Sequence, residues 1–166
     1  MSKAKLPPFQ DVLNEAGDDV FRFLVATVGL PDAEDCFQET FLAALRAYPQ
    51  LNHARNLRAW VFTIAHRKVV DSKRSDERRP MPAGDAIEVV AAAPEPALAR
   101  SAGEMVLCDL WNTVRELPPK QRIAVAHRFI NDLAYRDIGQ LMGTTEAAAR
   151  RNVHEALVRL REVHKQ

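Results

Sequence analysis

YRDIGQLMGTTEAAARRNVHEALVRLR, residues 135–161, decides the fold. Tyr135 to Met142 and Thr145 to about Val163 each carry apolar residues at helical spacing, and only Gly143 and Thr144 separate them. So tight a break between two short helices is a helix-turn-helix, whose second helix can enter a major groove. On that helix Ala149, Val153, Ala156, Leu157 and Leu160 form the inward stripe, and Arg150, Arg151 and His154 project away from it. An arginine so placed can hold guanine or phosphate bidentately, while Glu146 and Asn152 can read a base edge or orient the arginines. A solvated helix face explains an arginine pair as well; the Gly-Thr-Thr turn before it favours recognition. Backbone amides near Thr144 or Thr145 offer a further place for a phosphate.

Upstream, LPPKQRIAVAHRF (117–129) starts a helix at Pro119, which suits a first turn, and carries it through Arg122, Ile123 and Ala126 to about Ile130. Before it, Ser101 and Glu104 make an S-x-x-E capping box ahead of Val106, Leu107, Leu110, Trp111, Val114 and Leu117. From Asp76 to Arg100 the chain holds four of its ten prolines, Gly84 and a run of alanines, with no sustained period. That segment reads as a linker.

The N-terminal part predicts three helices. The first spans 8–28 with Phe9, Val12, Leu13, Ala16, Val20, Leu24 and Val28 inward, and Gly29 ends it. The second begins at PDAED, where Asp32 can cap and Glu34 and Asp35 suit the positive end of the dipole. Ala33, Cys36, Phe37, Thr40, Phe41, Ala44, Leu45 and Tyr48 form its inward stripe, with Cys36 in the core. Its outer face reads Asp35, Gln38, Glu39, Leu42 and Arg46; a leucine among carboxylates and an amide has the character of a protein-docking surface. Asn56 caps the third helix, in which Leu57, Trp60, Val61, Ile64 and Ala65 turn inward before a basic tail. From Arg58 to Arg79 the basic residues Arg58, Arg67, Lys68, Lys73, Arg74, Arg78 and Arg79 can neutralise several phosphates. No segment alternates with period two, so the chain is all-α, with two helical domains at 1–79 and 101–166 and a Pro/Ala-rich linker at 80–100.

Composition narrows the function. With 166 residues, 47% hydrophobic and 27% charged, the chain is globular, neither collagenous nor disordered. Net charge is only +1, but residues 51–80 carry 8 basic against 3 acidic groups after 4 against 8 in residues 1–50, and residues 121–166 carry 8 against 5 after 3 against 6 in residues 81–120. Two basic segments thus follow two acidic ones. Cys36 and Cys108 form no CxxC, and the five histidines His53, His66, His127, His154 and His164 show no ligand spacing, so no metal site is predicted. No phosphate loop, HExxH or nucleophile with its base occurs, so no catalytic residue and no cofactor is expected. Trp60 and Trp111 sit on apolar stripes and read as core. The start MSKAKLPPFQ has no apolar stretch of signal length and no window could span a bilayer, which places the chain in the cytoplasm without membrane insertion.

DAEDCFQETFLAALRAY (32–48), LRAWVFTIAHRKVVDSKR (57–74), LPPKQRIAVAHRF and the opening stretch together resemble the extracytoplasmic-function (ECF) sigma factors, over roughly 9–79 and 105–162 and in the family's order and spacing. The resemblance implies that the N-terminal helices are the family's second region, docking on the clamp helices of the largest subunit of core RNA polymerase through Asp35, Gln38, Glu39 and Leu42. It implies that the loop 51–56, with His53 and Asn56, lies where family members capture a flipped base of the minus-ten element. Arg58, His66, Arg67, Lys68, Lys73 and Arg74 of the next helix then face promoter DNA. The C-terminal helices become the fourth region, with Thr144, Thr145, Glu146, Arg150, Arg151 and His154 at the minus-thirty-five element. An anti-sigma factor is the further partner implied.

The sequence departs from the pattern in places. Ala134 stands where a capping serine is common, and Gly139 replaces a small alanine, a loss of up to ~1 kcal/mol in helix propensity. Ala147 to Ala149 leave the recognition helix poor in hydrogen-bonding side chains at its start, and His66 and Arg67 stand where Arg and Asn are frequent. The 25-residue stretch from Asp76 to Arg100 reaches ~80 to 90 Å extended, enough for sites two DNA turns, roughly 70 Å, apart. The predicted activity is promoter-specific initiation without catalysis. The competing readings are a sigma-like decoy or adaptor that binds an anti-sigma factor without directing transcription, and a free-standing helix-turn-helix regulator.

Overall fold

Pro8, at φ −54° and ψ 139°, admits the chain into α1, Phe9–Val28. The computed structural model describes residues 6–52, 56–78 and 110–163, and every element among them is helical. Gly29 ends α1 at φ 93°, a backbone conformation that residues with a Cβ rarely adopt, and the same residue is the N-cap of α2, Leu30–Ala47. That reversal within one residue moves the helix start ahead of Asp32. Asp32 therefore does not cap α2 but lies in its first turn, where its charge still suits the dipole.

A 3-10 turn, Tyr48–Gln50, follows, and the Tyr48 hydroxyl donates to the Pro7 carbonyl at 2.6 Å. Asn56, at φ 50°, accepts the Ala59 amide at 3.0 Å through Oδ1 and caps α3, Leu57–Arg78, as its side-chain chemistry predicts. Residues 110–115 form α4. The predicted capping box of Ser101 and Glu104, and Val106, Leu107 and Cys108, lie outside the described residues, as do His53 and Arg79. Then come α5, Pro119–Phe129, α6, Tyr135–Leu141, and α7, Glu146–Val163.

α1 is central, packed by α2, α3 and α5. It therefore buries a wider arc than a single stripe. Phe23, Ala26 and Thr27 are wholly buried, whereas Phe9, Leu13 and Val28 are only half-buried. α3 also keeps its core longer than expected, with Phe62 and Val69 fully buried beyond the predicted inward set. Burying Val69 contributes ~1.5 to 3 kcal/mol, so the basic tail begins later than the charge pattern implies. Leu45 departs the other way: it is 50% exposed, beside Leu42 at 51%. Trp60 and Trp111 are half-buried at cluster edges.

Two apolar clusters result. One gathers α1, α2 and α3 with Ile123 and Ala126 of α5. The other gathers Val114, Leu117, Ala124, Val125 and Ile138 with Ala149, Val153, Ala156 and Leu160 of α7.

Candidate functional site

The helix-turn-helix is built on close backbone approach. Gly143 turns the chain at φ 63°, the Thr144 amide donates to the Gly139 carbonyl at 2.8 Å, and Thr145 Oγ1 accepts the Ala148 amide at 3.1 Å to cap α7. The Thr144 amide is thus already engaged, and the helix start offers a phosphate fewer free donors than the sequence implies. A Cβ on Gly139 would lie 2.9 Å from the Thr145 carbonyl carbon and 3.0 Å from the Glu146 nitrogen. Glycine here is a packing requirement, which corrects its reading as a helix-propensity loss.

Arg150, Arg151 and His154 are exposed on the outer arc of α7, and Thr144, Thr145 and Glu146 are exposed at its start. Arg150 donates to Glu146 Oε1 at 2.9 Å, and its guanidinium stands 4.9 Å from the Tyr135 ring centroid. Arg128 stands 5.3 Å from the same ring and donates to the Leu133 carbonyl at 3.1 Å. Such cation–π contacts contribute ~0.5 to 1 kcal/mol at exposed sites and restrict where an arginine points. Tyr135 and Arg128 are absent from the sequence-predicted site; an aromatic at the first position of the helix preceding the recognition helix is the signal that was available.

On α2, Asp35, Gln38, Glu39 and Leu42 are all exposed and share one face, which Leu45 extends by a further turn. Cys36 lies beneath it, its thiol pushed up by burial and by Glu39, Asp32 and Asp35, so the reactive thiolate is disfavoured.

Among the described residues, those assigned to the minus-ten element are not brought to one open surface. Asn56 and Arg67 are exposed. Lys68 donates to Glu39 Oε2 at 3.0 Å across to α2. Arg58 donates to Asp19 Oδ2 at 2.6 Å and to the Ile130 carbonyl at 3.2 Å, and lies over Phe62. His66 is buried, its Nδ1 3.0 Å from His127 Nε2. Lys73 and Arg74 follow on the last turns of α3, with their side chains beyond the described part, and His53 is outside it. Burial of His66 runs against its reading as a DNA contact: α5 covers that side of α3.

His127 is wholly buried, and its pKa is pushed down to about 3, by burial first and by His66 second. The titratable group against it is His66 of α3, and the Phe23 ring of α1 lies 4.5 Å from its own. Because the pKa is depressed in the packed state, the contribution is full above the ordinary histidine value and is lost as pH falls from there towards about 3. Lowering the pH from about 7.5 to about 5.5 is expected to weaken packing of α5 on α1 and α3 roughly tenfold. Denaturant midpoints measured across that window check it, and His127→Gln should flatten the dependence.

Among the described residues no helix is long and apolar enough to cross a membrane, and no group of three metal-ligating side chains occurs. Residues 13–79 match the family model for Sigma-70 region 2 and residues 109–160 that for Sigma-70, region 4, in the same order as the two apolar clusters. The chain thus carries matches to two regions of the sigma-70 family. It is 30% identical over 143 residues to the ECF RNA polymerase sigma factor SigF of Caulobacter vibrioides, covering 84% of this chain and 75% of that one. To the ECF RNA polymerase sigma factor BldN of Streptomyces coelicolor it is 32% identical over 145 residues, covering 84% of this chain but 54% of that one, about half its length. The chain belongs to the ECF RNA polymerase sigma factors. The sigma factor RpoE from Bartonella quintana, solved in complex with the anti-sigma factor NepR, shares the fold at TM-score 0.74 over 95% of this chain and 96% of that one, with 24% identity.

Proposed function

We propose that this chain binds core RNA polymerase through the outer face of α2 and directs it to promoters, with residues 1–79 reading the minus-ten element, 101–166 the minus-thirty-five element and 80–100 joining them. The observation that carries this reading is the pair of separate exposed faces. One, with Asp35, Gln38, Glu39, Leu42 and Leu45, is acidic and apolar; the other, with Arg150, Arg151 and His154, is basic and follows a helix-turn-helix break. An acidic face repels phosphates and suits a protein, whereas a basic face on a recognition helix suits DNA. The chain acts as a binding subunit with no active site of its own, in the cytoplasm, and opening draws on binding energy through capture of an unstacked base near 51–56. An anti-sigma factor is its further partner.

Transcription of fragmented genomic DNA by core polymerase, with and without the chain, tests this. Discrete new start sites sharing a two-part upstream motif are expected; none, with the chain folded, would favour the decoy or adaptor. Arg150→Ala is expected to weaken minus-thirty-five binding by ~1 to 3 kcal/mol and relax specificity there. Because Tyr135 orients that guanidinium, Tyr135→Ala should lose part of the same selectivity while Tyr135→Phe retains it. Competition binding with single-base promoter variants reads both.

A further inference from the structure

α1 passes into α2 through Gly29 alone, and two arginines converge on that joint. At Gly29, φ 93°, a Cβ would lie 2.7 Å from Arg115 Nη2 and 2.9 Å from its Cζ. Only a residue without a Cβ lets the Arg115 guanidinium of α4 come so near the backbone. Arg122 of α5 reaches the same end of α1, where Nη1 donates to the Thr27 carbonyl at 2.9 Å and Nη2 to the Leu117 carbonyl at 3.0 Å. Those two bonds fix where its charge stands. Burial pushes the Arg122 guanidinium down, and the charge of Arg115 adds to that, so the two cations are near enough to repel.

Neither charge is balanced. Among the described residues the ion pairs join Arg22 and Arg58 to Asp19, Lys68 to Glu39, Arg128 to Asp132 and Arg150 to Glu146; Arg115 and Arg122 are in none of them. Asp32, in the first turn of α2, is paired with neither. Arg115 also donates no hydrogen bond among the described residues, although a guanidinium carries five donors in a flat fork. Its donors are idle while its plane lies on backbone. Leu30, Pro31, Asp32 and Arg115 are exposed, so the joint is open to a dissolved ion. The positive end of the α2 dipole adds to the charge gathered there. An anion would remove the repulsion and engage the idle donors.

We propose that the α1–α2 joint is an anion site, in which Arg115 holds a phosphate group bidentately beside Gly29 and Arg122 supplies a second, fixed positive charge. The occupant is a small dianion bearing one phosphate, free or as an ester. A phosphate offers charge and oxygens for two guanidiniums at once, which a single carboxylate does not. A duplex is a poorer fit, because its binders make about six to ten phosphate contacts and this joint offers two cations. The site goes beyond the proposed function and does not rest on it: neither arginine is assigned to polymerase or to promoter DNA.

The test titrates the full chain calorimetrically, at fixed ionic strength, with inorganic phosphate and with adenosine monophosphate as a phosphate ester. One saturable site per chain is expected. Tighter binding of the ester assigns the site to a phosphorylated metabolite, and tighter binding of inorganic phosphate to the free ion. Arg115→Gln is expected to weaken binding roughly ten- to a hundredfold, through loss of hydrogen bonds to a charged group. Arg115 is exposed, so the replacement leaves the core untouched, and circular dichroism confirms that each variant is folded. Arg115→Lys keeps the charge without the fork and should recover only part of the affinity. Arg161→Gln, at an exposed cation on α7, should leave binding unchanged. Absence of saturable binding overturns the site, as does binding that Arg115→Gln leaves intact. Equal weakening by Arg161→Gln overturns it too, because the response would then belong to the basic surface at large. Start-site mapping depends on neither arginine, so the anion site and the sigma reading can fail separately.

Discussion

Leu42→Asp combined with Leu45→Asp is expected to weaken binding to core RNA polymerase by about 10² to 10⁴-fold while leaving the unfolding midpoint of the free chain almost unchanged. Both leucines are half exposed on one side of α2, so neither replacement opens a cavity. Surface changes of that kind usually stay within about 0.5 kcal/mol of neutral. In a complex the exposed half of each side chain is withdrawn from water, which contributes about half of the ~1.5 to 3 kcal/mol for burying a whole leucine. Asp35 and Glu39 stand on the same face, so two further carboxylates also add charge to be desolvated. Titrating labelled chain with core polymerase, alongside denaturant unfolding, separates the outcomes. A marked loss of stability would mean that Leu45 belongs to the core, as its place on the helical stripe implies; unchanged polymerase affinity would remove α2 as the docking face.

Leu45 illustrates where reading the sequence stops. Hydrophobic periodicity identifies the helices, and it placed the helix-turn-helix, the Asn56 cap and the outer face of α2, because each depends on residues within a few positions of one another. Periodicity does not count partners. α1 meets helices on more than one side and buries Phe23 and Thr27 outside its predicted stripe, and α5 meets both clusters, so His127 is hidden although its helix reads as amphipathic. The His66–His127 contact joins residues 61 positions apart, and nothing local to the basic run on α3 announces it. Charge patterning placed Arg58, and the family resemblance His66, on the DNA side, whereas in the fold Arg58 bonds to Asp19 and to the Ile130 carbonyl and His66 meets His127. The exposed arc of α7 was legible for the opposite reason: its arginines lie on one side of a single helix. Only their support by Tyr135, from the preceding helix, needed the structure.

Gly139→Val is expected to destabilise the helix-turn-helix by about 3 kcal/mol and to lose minus-thirty-five binding with it. At Gly139 a Cβ would meet the backbone of the α6–α7 turn: 2.9 Å from the Thr145 carbonyl carbon and 3.0 Å from both the Thr145 oxygen and the Glu146 nitrogen. Backbone cannot swing aside as a side-chain tip does. Moving it would disturb the Thr144 amide bond to Gly139 and the Thr145 cap of α7, which together fix how the recognition helix leaves the turn. Valine adds two more carbons and its χ1 restriction to that overlap. Alanine is the sharper probe, because two terms oppose each other: a gain of up to ~1 kcal/mol in helix propensity against ~1 to 3 kcal/mol of overpacking. A net loss of stability, measured by denaturant unfolding followed at the C-terminal helices, is the expected sign. If Gly139→Ala were instead neutral or stabilising and bound the minus-thirty-five element as well, the two helices would have room to shift by a few tenths of an ångström, and this glycine would be a propensity loss after all.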